Sequence, residues 1–212
     1  LSLDLVQAGS FLAVAVAVTL APGPDNLMIL SLGLARGRRA GLAFGLGCAL
    51  GCLCHTALAA LGVSALIAAS PVAFLALQIV GGMYLIWLGL EAWRSRTTPA
   101  PTILSSSGPK PQVWPLFRRG LAANAINPKV VLFFLAFLPQ FVVVGRADSE
   151  AMQIAALGGL FTLQAVVLFG LIGWFSGMIG QGLGRIPGAA RRLDQVAGTI
   201  FIGLGLRLIL VR

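Results

Sequence analysis

Residues 40–90 read AGLAFGLGCALGCLCHTALAALGVSALIAASPVAFLALQIVGGMYLIWLGL, without a single Asp, Glu, Lys or Arg. A helix needs about 20 apolar residues to cross a bilayer, so this run is too long for one crossing. Its one turn signal is Ser70-Pro71, which divides it into a hairpin of two spans. A second charge-free stretch, Ala151 to Gly184, is also long enough to cross.

Working outward, apolar runs place spans near Leu5 to Ala35, Ala40 to Ala69, Val72 to Trp93, Leu121 to Val144, Met152 to Gly180 and Val196 to Val211. The last is short and contains Arg207, which has to snorkel toward the surface. Only 10% of the 212 residues are charged and 58% are hydrophobic, against roughly 25% charged in a soluble domain. No water-facing surface covers most of this chain. The first run has no basic segment before it and leads into a Pro-Gly-Pro turn, so it is expected to stay in the membrane and not to be cleaved as a signal peptide.

The net charge of +9 does not point to nucleic acid, because the basic residues fall in short clusters between spans. Arg36, Arg38 and Arg39 follow span one. Arg94, Arg96, Lys110, Arg118 and Arg119 follow span three, and Arg185, Arg191 and Arg192 follow span five. All lie on one side, with Arg146, Arg212 and Arg207 on the other. The positive-inside rule therefore puts the basic loops in the cytoplasm and both termini outside. Residues 94–119, rich in Ser, Thr and Pro, form a cytoplasmic linker between residues 1–93 and 120–212, each with three spans. Three is odd, so any likeness between the halves is an inverted repeat. Gln78-Ile79-Val80-Gly81-Gly82-Met83-Tyr84-Leu85 and Gln195-Val196-Ala197-Gly198-Thr199-Ile200-Phe201-Ile202 show such a likeness. The expected fold class is an all-α polytopic membrane protein: six transmembrane helices as two inverted three-helix repeats.

Helices one and four are expected to be broken. Ala21-Pro22-Gly23-Pro24-Asp25-Asn26 interrupts the first, and Asn124-Ala125-Ile126-Asn127-Pro128-Lys129 interrupts the fourth. Proline lacks a backbone donor and clashes with the preceding turn, so each break frees backbone groups at membrane depth. Those groups are tolerated only where protein or a watery cavity meets them. Asn127 is suited to cap a new helix with Pro128 in its first position, and Pro24 leads into Asp25 in the same manner. Such helix starts favour anionic groups. Paired broken helices in matching positions mark a transporter's substrate site.

Asp25 and Lys129 are the charges deepest inside apolar runs, where insertion costs about 3 kcal/mol. The expectation is that they face one another, that a zwitterion sets its ammonium at Asp25 and its carboxylate at Lys129, and that a proton at Asp25 competes with substrate. The alternative is a buried ion pair fixing helix register, or a Lys129 that snorkels. The substrate-binding set is Pro22, Gly23, Pro24, Asp25, Asn26, Asn124, Asn127, Pro128, Lys129 and the more distant Tyr84. Asn124, Asn127, Gln140 and Gln164 line a cavity or bond neighbouring helices. Gly37, Gly41, Gly45, Gly47, Gly51, Gly173 and Gly177 have the small-residue spacing of closely packed helices.

Cys48, Cys52, Cys54 and His55 raise the question of a soft-metal site. Cys48 and Cys52 share a helix face, whereas Cys54 and His55 turn away from it by roughly 160° and 100°, so buried packing is the simpler role. No metal site or cofactor is expected. Paired carboxylates at workable spacing, a His-rich metal motif and a Gly-x-Ser-x-Gly elbow are all missing, so neither is catalysis.

With these residues in view, the chain resembles the LysE/RhtB family of amino-acid exporters, the lysine and homoserine/threonine efflux proteins. The resemblance rests on Ala21-Pro22-Gly23-Pro24, on Gly81-Gly82-Met83-Tyr84-Leu85-Ile86-Trp87-Leu88-Gly89, and on Asn124-Ala125-Ile126-Asn127-Pro128-Lys129 followed by Leu138-Pro139-Gln140-Phe141. It implies a six-span inner-membrane exporter of amino acids or close derivatives, driven by the proton gradient and often a homodimer. Members commonly have a neutral polar residue after the Pro-Gly-Pro turn, where this chain has Asp25. Related exporters of the wider superfamily handle divalent cations, so metal export is the alternative reading.

Overall fold

The computed structural model describes residues 4–63, 66, 69–94, 112–143, 148–179 and 188–210. Among these the chain is helical, with no strand. Helix α1 (Leu5–Leu20) begins under an Asp4 cap and ends at the first break. Helix α2 (Pro24–Arg36) follows at 55° to it. The chain then turns at Gly37, whose φ of +86° lies where a side chain is strained, and enters α3 (Arg38–Leu58), extended by a π turn at Ala59–Val63. Helix α4 (Pro71–Arg94) starts beside Ser70, whose hydroxyl accepts the Ala73 amide at 3.2 Å. The two spans expected on either side of Ser70-Pro71 are present.

The second broken pair is α5 (Val113–Ala125) and α6 (Pro128–Leu132), which meet at 50°. Helix α5 starts upstream of the expected Leu121, so the end of the linker is helical. Helix α6 widens into a π turn at Phe133–Phe137 and tightens into a 3-10 turn at Leu138–Phe141. Pro139 is the cause: its ring cannot sit against an α-helical carbonyl four residues back, and the Leu138 amide reaches back to Phe133 O instead. Helices α7 (Glu150–Trp174) and α8 (Ala189–Leu210) complete the fold. Ser149 caps α7 by accepting the Met152 amide at 3.2 Å. Gly180 and Val211, the expected ends of spans five and six, lie outside the described residues, as does most of the linker.

Among the described residues four helices are individually long and apolar enough to cross a membrane, and the number of spans is six when each bent pair is counted as one crossing. Large apolar side chains such as Leu61, Val72, Trp87, Leu163 and Met178 cover the outside. An outer surface of this kind suits lipid and not water, and the protein is a polytopic membrane protein.

Glycines set which helices touch. A Cβ on Gly47 would lie 2.0 Å from Phe117 O, and one on Gly51 3.1 Å from Leu121 O, so α3 and α5 run side by side in the same direction with backbones in contact. Gly41 meets Gly173 and Thr56 meets Gly158, so α7 lies antiparallel to α3. Gly82 meets Gly205 and Gly89 meets Gly198, which makes α4 and α8 an antiparallel pair. Close approach of this kind replaces the hydrophobic drive that lipid removes. Between α1 and α6, Phe11, Phe133, Phe137 and Phe141 form a buried aromatic stack extending from the breaks toward Phe141, with ring centroids 5.2–6.2 Å apart. Arg207 is exposed and lies over the Phe137 and Phe141 rings at 6.0 and 5.6 Å.

Candidate functional site

Each proline at the breaks leaves one carbonyl, four residues back, without its helical donor. Pro22 frees Val18 O, and the Lys129 Nζ donates to it at 3.2 Å. Pro24 frees Leu20 O, and the Asn26 Nδ2 takes it at 3.3 Å while also donating to Thr19 O and Ala21 O at 3.0 Å each. Pro128 has no amide to give Asn124 O, which accepts the Asn127 amide at 2.9 Å in a tighter turn and is also met by the His55 Nε2 at 3.0 Å. A carbonyl only accepts, so that nitrogen carries the hydrogen and fixes the imidazole tautomer. The prolines that break the helices thus recruit the polar side chains gathered there.

Asn127 caps α6 as expected, its Oδ1 accepting the Lys129 amide at 3.1 Å. Its Nδ2 turns the other way and donates to Asp25 Oδ2 at 3.0 Å, where the Asn124 Nδ2 also donates at 2.9 Å. Asn124 fits only because Gly51 has no side chain: a Cβ there would lie 2.9 Å from Asn124 Oδ1. The Cys52 thiol reaches the same oxygen at 3.6 Å. Asp25 occupies the first turn of α2, where the helix dipole favours negative charge.

Asp25 and Lys129 are both buried, at 4% and 8% exposure, so Lys129 does not snorkel. They do not form an ion pair with one another. Asp25 is held by two amides, and the Lys129 head by Val18 O, Ala21 O at 3.1 Å and the Phe201 ring at 5.7 Å. Among the described residues no donor reaches Asp25 Oδ1, and Lys129 uses two of its three N–H donors on carbonyls. The direct pairing expected from sequence is replaced by two separately held charges with bonding capacity to spare.

Of the remaining expected residues, Pro22 and Gly23 are half-buried at the break, and Pro24 and Pro128 are exposed on its flank. A Cβ on Gly23 would lie 3.0 Å from Lys129 Nζ. Tyr84 stands apart: it is half-buried on α4, its ring against Trp87 at 5.4 Å. Gln140 is half-buried and lines a surface hollow of about 230 Å³ at the far end of α6, not at the breaks. Cys48, Cys52 and His55 are buried and Cys54 is exposed. Among the described residues no three His, Cys, Asp or Glu side chains are grouped to hold a metal ion.

Three further residues enter the site: Thr19, which sequence reading left out, His55, which it treated as packing, and Gln164, for which it left cavity lining and helix bonding open. His55 is bonded to a backbone carbonyl at the second break. Thr19 and Gln164 meet at 2.8 Å, the Gln164 Nε2 donating to the Thr19 hydroxyl. Gln164 Oε1 and Asn26 Oδ1 are buried without a hydrogen-bond partner among the described residues, a condition that costs about 1–3 kcal/mol per group. Counting four residues back from each proline identifies the freed carbonyls from sequence, but not the side chain that reaches them.

The sequence matches the model of the LysE type translocator family over residues 16–212. It is 32% identical over 199 residues to an uncharacterized membrane protein of Vibrio cholerae serotype O1, covering 94% of each chain. A leucine efflux protein of Klebsiella pneumoniae is 29% identical over 204 residues, 94% of this chain and 92% of the relative. A threonine efflux protein of Escherichia coli K12 is 26% identical over 220 residues, 95% and 98% respectively. No solved structure matches. Two proline-broken helices meeting over buried polar side chains, several membrane-spanning helices and a match over nearly the whole length agree, and the chain belongs to the LysE type translocator family.

Proposed function

We propose that this protein is a secondary active transporter that exports amino acids or close derivatives from the cytoplasm, by exchange for protons across the inner membrane. The observation that carries the reading is the pair Asp25 and Lys129, each buried at a helix break, each held by neutral groups, and each with capacity left over. A zwitterion has the complementary groups: an ammonium for Asp25 Oδ1 and a carboxylate for the free Lys129 N–H. The relatives named as leucine and threonine efflux proteins support an amino acid as the solute.

A proton on Asp25 removes the charge that holds the ammonium, so protonation from outside and substrate binding from inside exclude one another. This exclusion is what antiport requires. The positive-inside pattern supports cytoplasmic basic loops with both termini outside. Antiparallel pairing of α3 with α7 and of α4 with α8, together with the two matched breaks, supports an inverted repeat of three spans per half. The apolar outer faces leave room for a homodimer.

The test is efflux from liposomes loaded with mixed amino acids under an inward proton gradient, read by mass spectrometry for wild type, Asp25→Asn and Lys129→Ala. Gradient-dependent release of selected amino acids, impaired in both variants, supports the reading. Normal efflux in both variants overturns the site, and no efflux from folded wild type overturns the function.

A further inference from the structure

Asn26 and Gln164 are 7% and 9% exposed, and each has a carbonyl oxygen that no donor among the described residues reaches. Both amides are anchored on one residue, Thr19: Asn26 Nδ2 on its backbone carbonyl at 3.0 Å, Gln164 Nε2 on its hydroxyl at 2.8 Å. The Asn26 orientation is determined, because a flipped amide would set its oxygen against three carbonyls. Gln164 is free to flip, since the Thr19 hydroxyl can either accept or donate. The site therefore offers one fixed acceptor, at Asn26, and one amide end that suits an acceptor or a donor.

Resting on the export reading, we propose that Thr19, Asn26 and Gln164 form a subsite for the substrate's side chain, and that it takes a neutral hydrogen-bond donor, in the first place a hydroxyl. A cation fits poorly: Ala21 O is shared by Asn26 Nδ2 at 3.0 Å and the Lys129 Nζ at 3.1 Å, so the Asn26 amide adjoins a resident ammonium that repels a second one. A hydroxyl donates and accepts, and so matches Gln164 in either orientation. Neither orphaned oxygen touches solvent or a water-sized void. The packing of α1 against α7 has to part before anything fills the subsite, and the opening that admits a ligand is the one that relieves these groups. Asp25 and Lys129 then read the amino-acid head, while Thr19, Asn26 and Gln164 decide which side chain is carried.

Threonine and valine differ by a hydroxyl in place of a methyl and are nearly the same size, so their efflux ratio from proteoliposomes isolates the subsite. Wild type is expected to export threonine at least about tenfold faster than valine at equal loading, because a site built around unpaired polar groups rejects an apolar isostere. Gln164→Met and Thr19→Val are expected to bring the ratio toward one, and Thr19→Ser, which keeps the hydroxyl, to preserve it. If Gln164→Met does not elute as a folded species in detergent, the two Thr19 variants decide the matter by themselves. Brisk efflux with a wild-type ratio near one, or variants that slow both amino acids equally, overturns the subsite and leaves the export reading standing. Absence of any amino-acid efflux from folded wild type overturns both.

Discussion

Asp25 and Lys129 share a buried site at the two helix breaks and are joined through Asn127 without touching each other. Asn127 donates to the Asp25 carboxylate at 3.0 Å with one end of its amide and accepts the Lys129 backbone amide at 3.1 Å with the other. Burial of two unpaired charges is expensive, and a direct pair would lower that expense while leaving nothing for a ligand to bind. Neutral amides and carbonyls hold each charge in place and keep part of its bonding capacity open.

Charge and packing at Asp25 are separable. Asp25→Asn can keep both amide contacts through its oxygen, so thermal unfolding in detergent should change little while efflux falls about tenfold or more and loses its dependence on the proton gradient. Asp25→Leu orphans the Asn124 and Asn127 amides, at about 1–3 kcal/mol each, and should lower the melting temperature as well. Equal stability for both substitutions would contradict the hydrogen-bonding geometry.

Removing Asn127 deletes a cap and a carboxylate contact together. An N-cap contributes about 1 kcal/mol, and the lost bond to a buried charge adds roughly 1.5–3 kcal/mol. Asn127→Ala should therefore melt several degrees below wild type, whereas Asn127→Asp keeps the cap and sets a second carboxylate against Asp25. Efflux from liposomes should be weaker for Asn127→Asp than for wild type, because two like charges are set against each other in a buried site.

Helix contact predicts opposite outcomes for two alanine substitutions. Gly47→Ala drives a methyl into the Phe117 carbonyl and should reduce the yield of folded protein sharply. Gly159, in mid-α7, has open space where its Cβ would be. Gly159→Ala should be neutral or stabilise by about 0.5–1 kcal/mol from helix propensity. Fluorescence-detected size exclusion of the two variants is sufficient to compare them.

The buried aromatic stack follows the second break along the chain. Phe137 is fully buried against Phe133 and Phe141, and Phe137→Ala should cost about 3–5 kcal/mol. In liposomes the expected signature is a slow leak of substrate without a proton gradient. A variant as tight as wild type would show that the barrier lies elsewhere.

Much of this protein was already determined by its sequence. A charge-free run of residues 40–90 dictates a hairpin of spans, since apolar length is a local property that bilayer thickness converts into a count. Pro22, Pro24 and Pro128 dictate where helices break and, by the four-residue spacing of helical bonds, which carbonyls are freed. Asn127 and Pro128 dictate a new helix start in the same local way. Leu20 O is answered locally, by Asn26 six residues on, but what else meets the freed groups and fills the site was decided only by tertiary structure. His55 reaches Asn124 across 69 residues, Asn124 reaches Asp25 across 99, and Gln164 reaches Thr19 across 145. No local periodicity encodes such meetings. They depend on how closely glycine-faced helices approach, and a shift of one helical turn along α3 would bring a different side chain to Asn124. For the same reason Tyr84, adjacent to a recognisable glycine pattern in sequence, packs on Trp87 apart from the site, while Thr19, inconspicuous in an apolar run, anchors both orphaned amides.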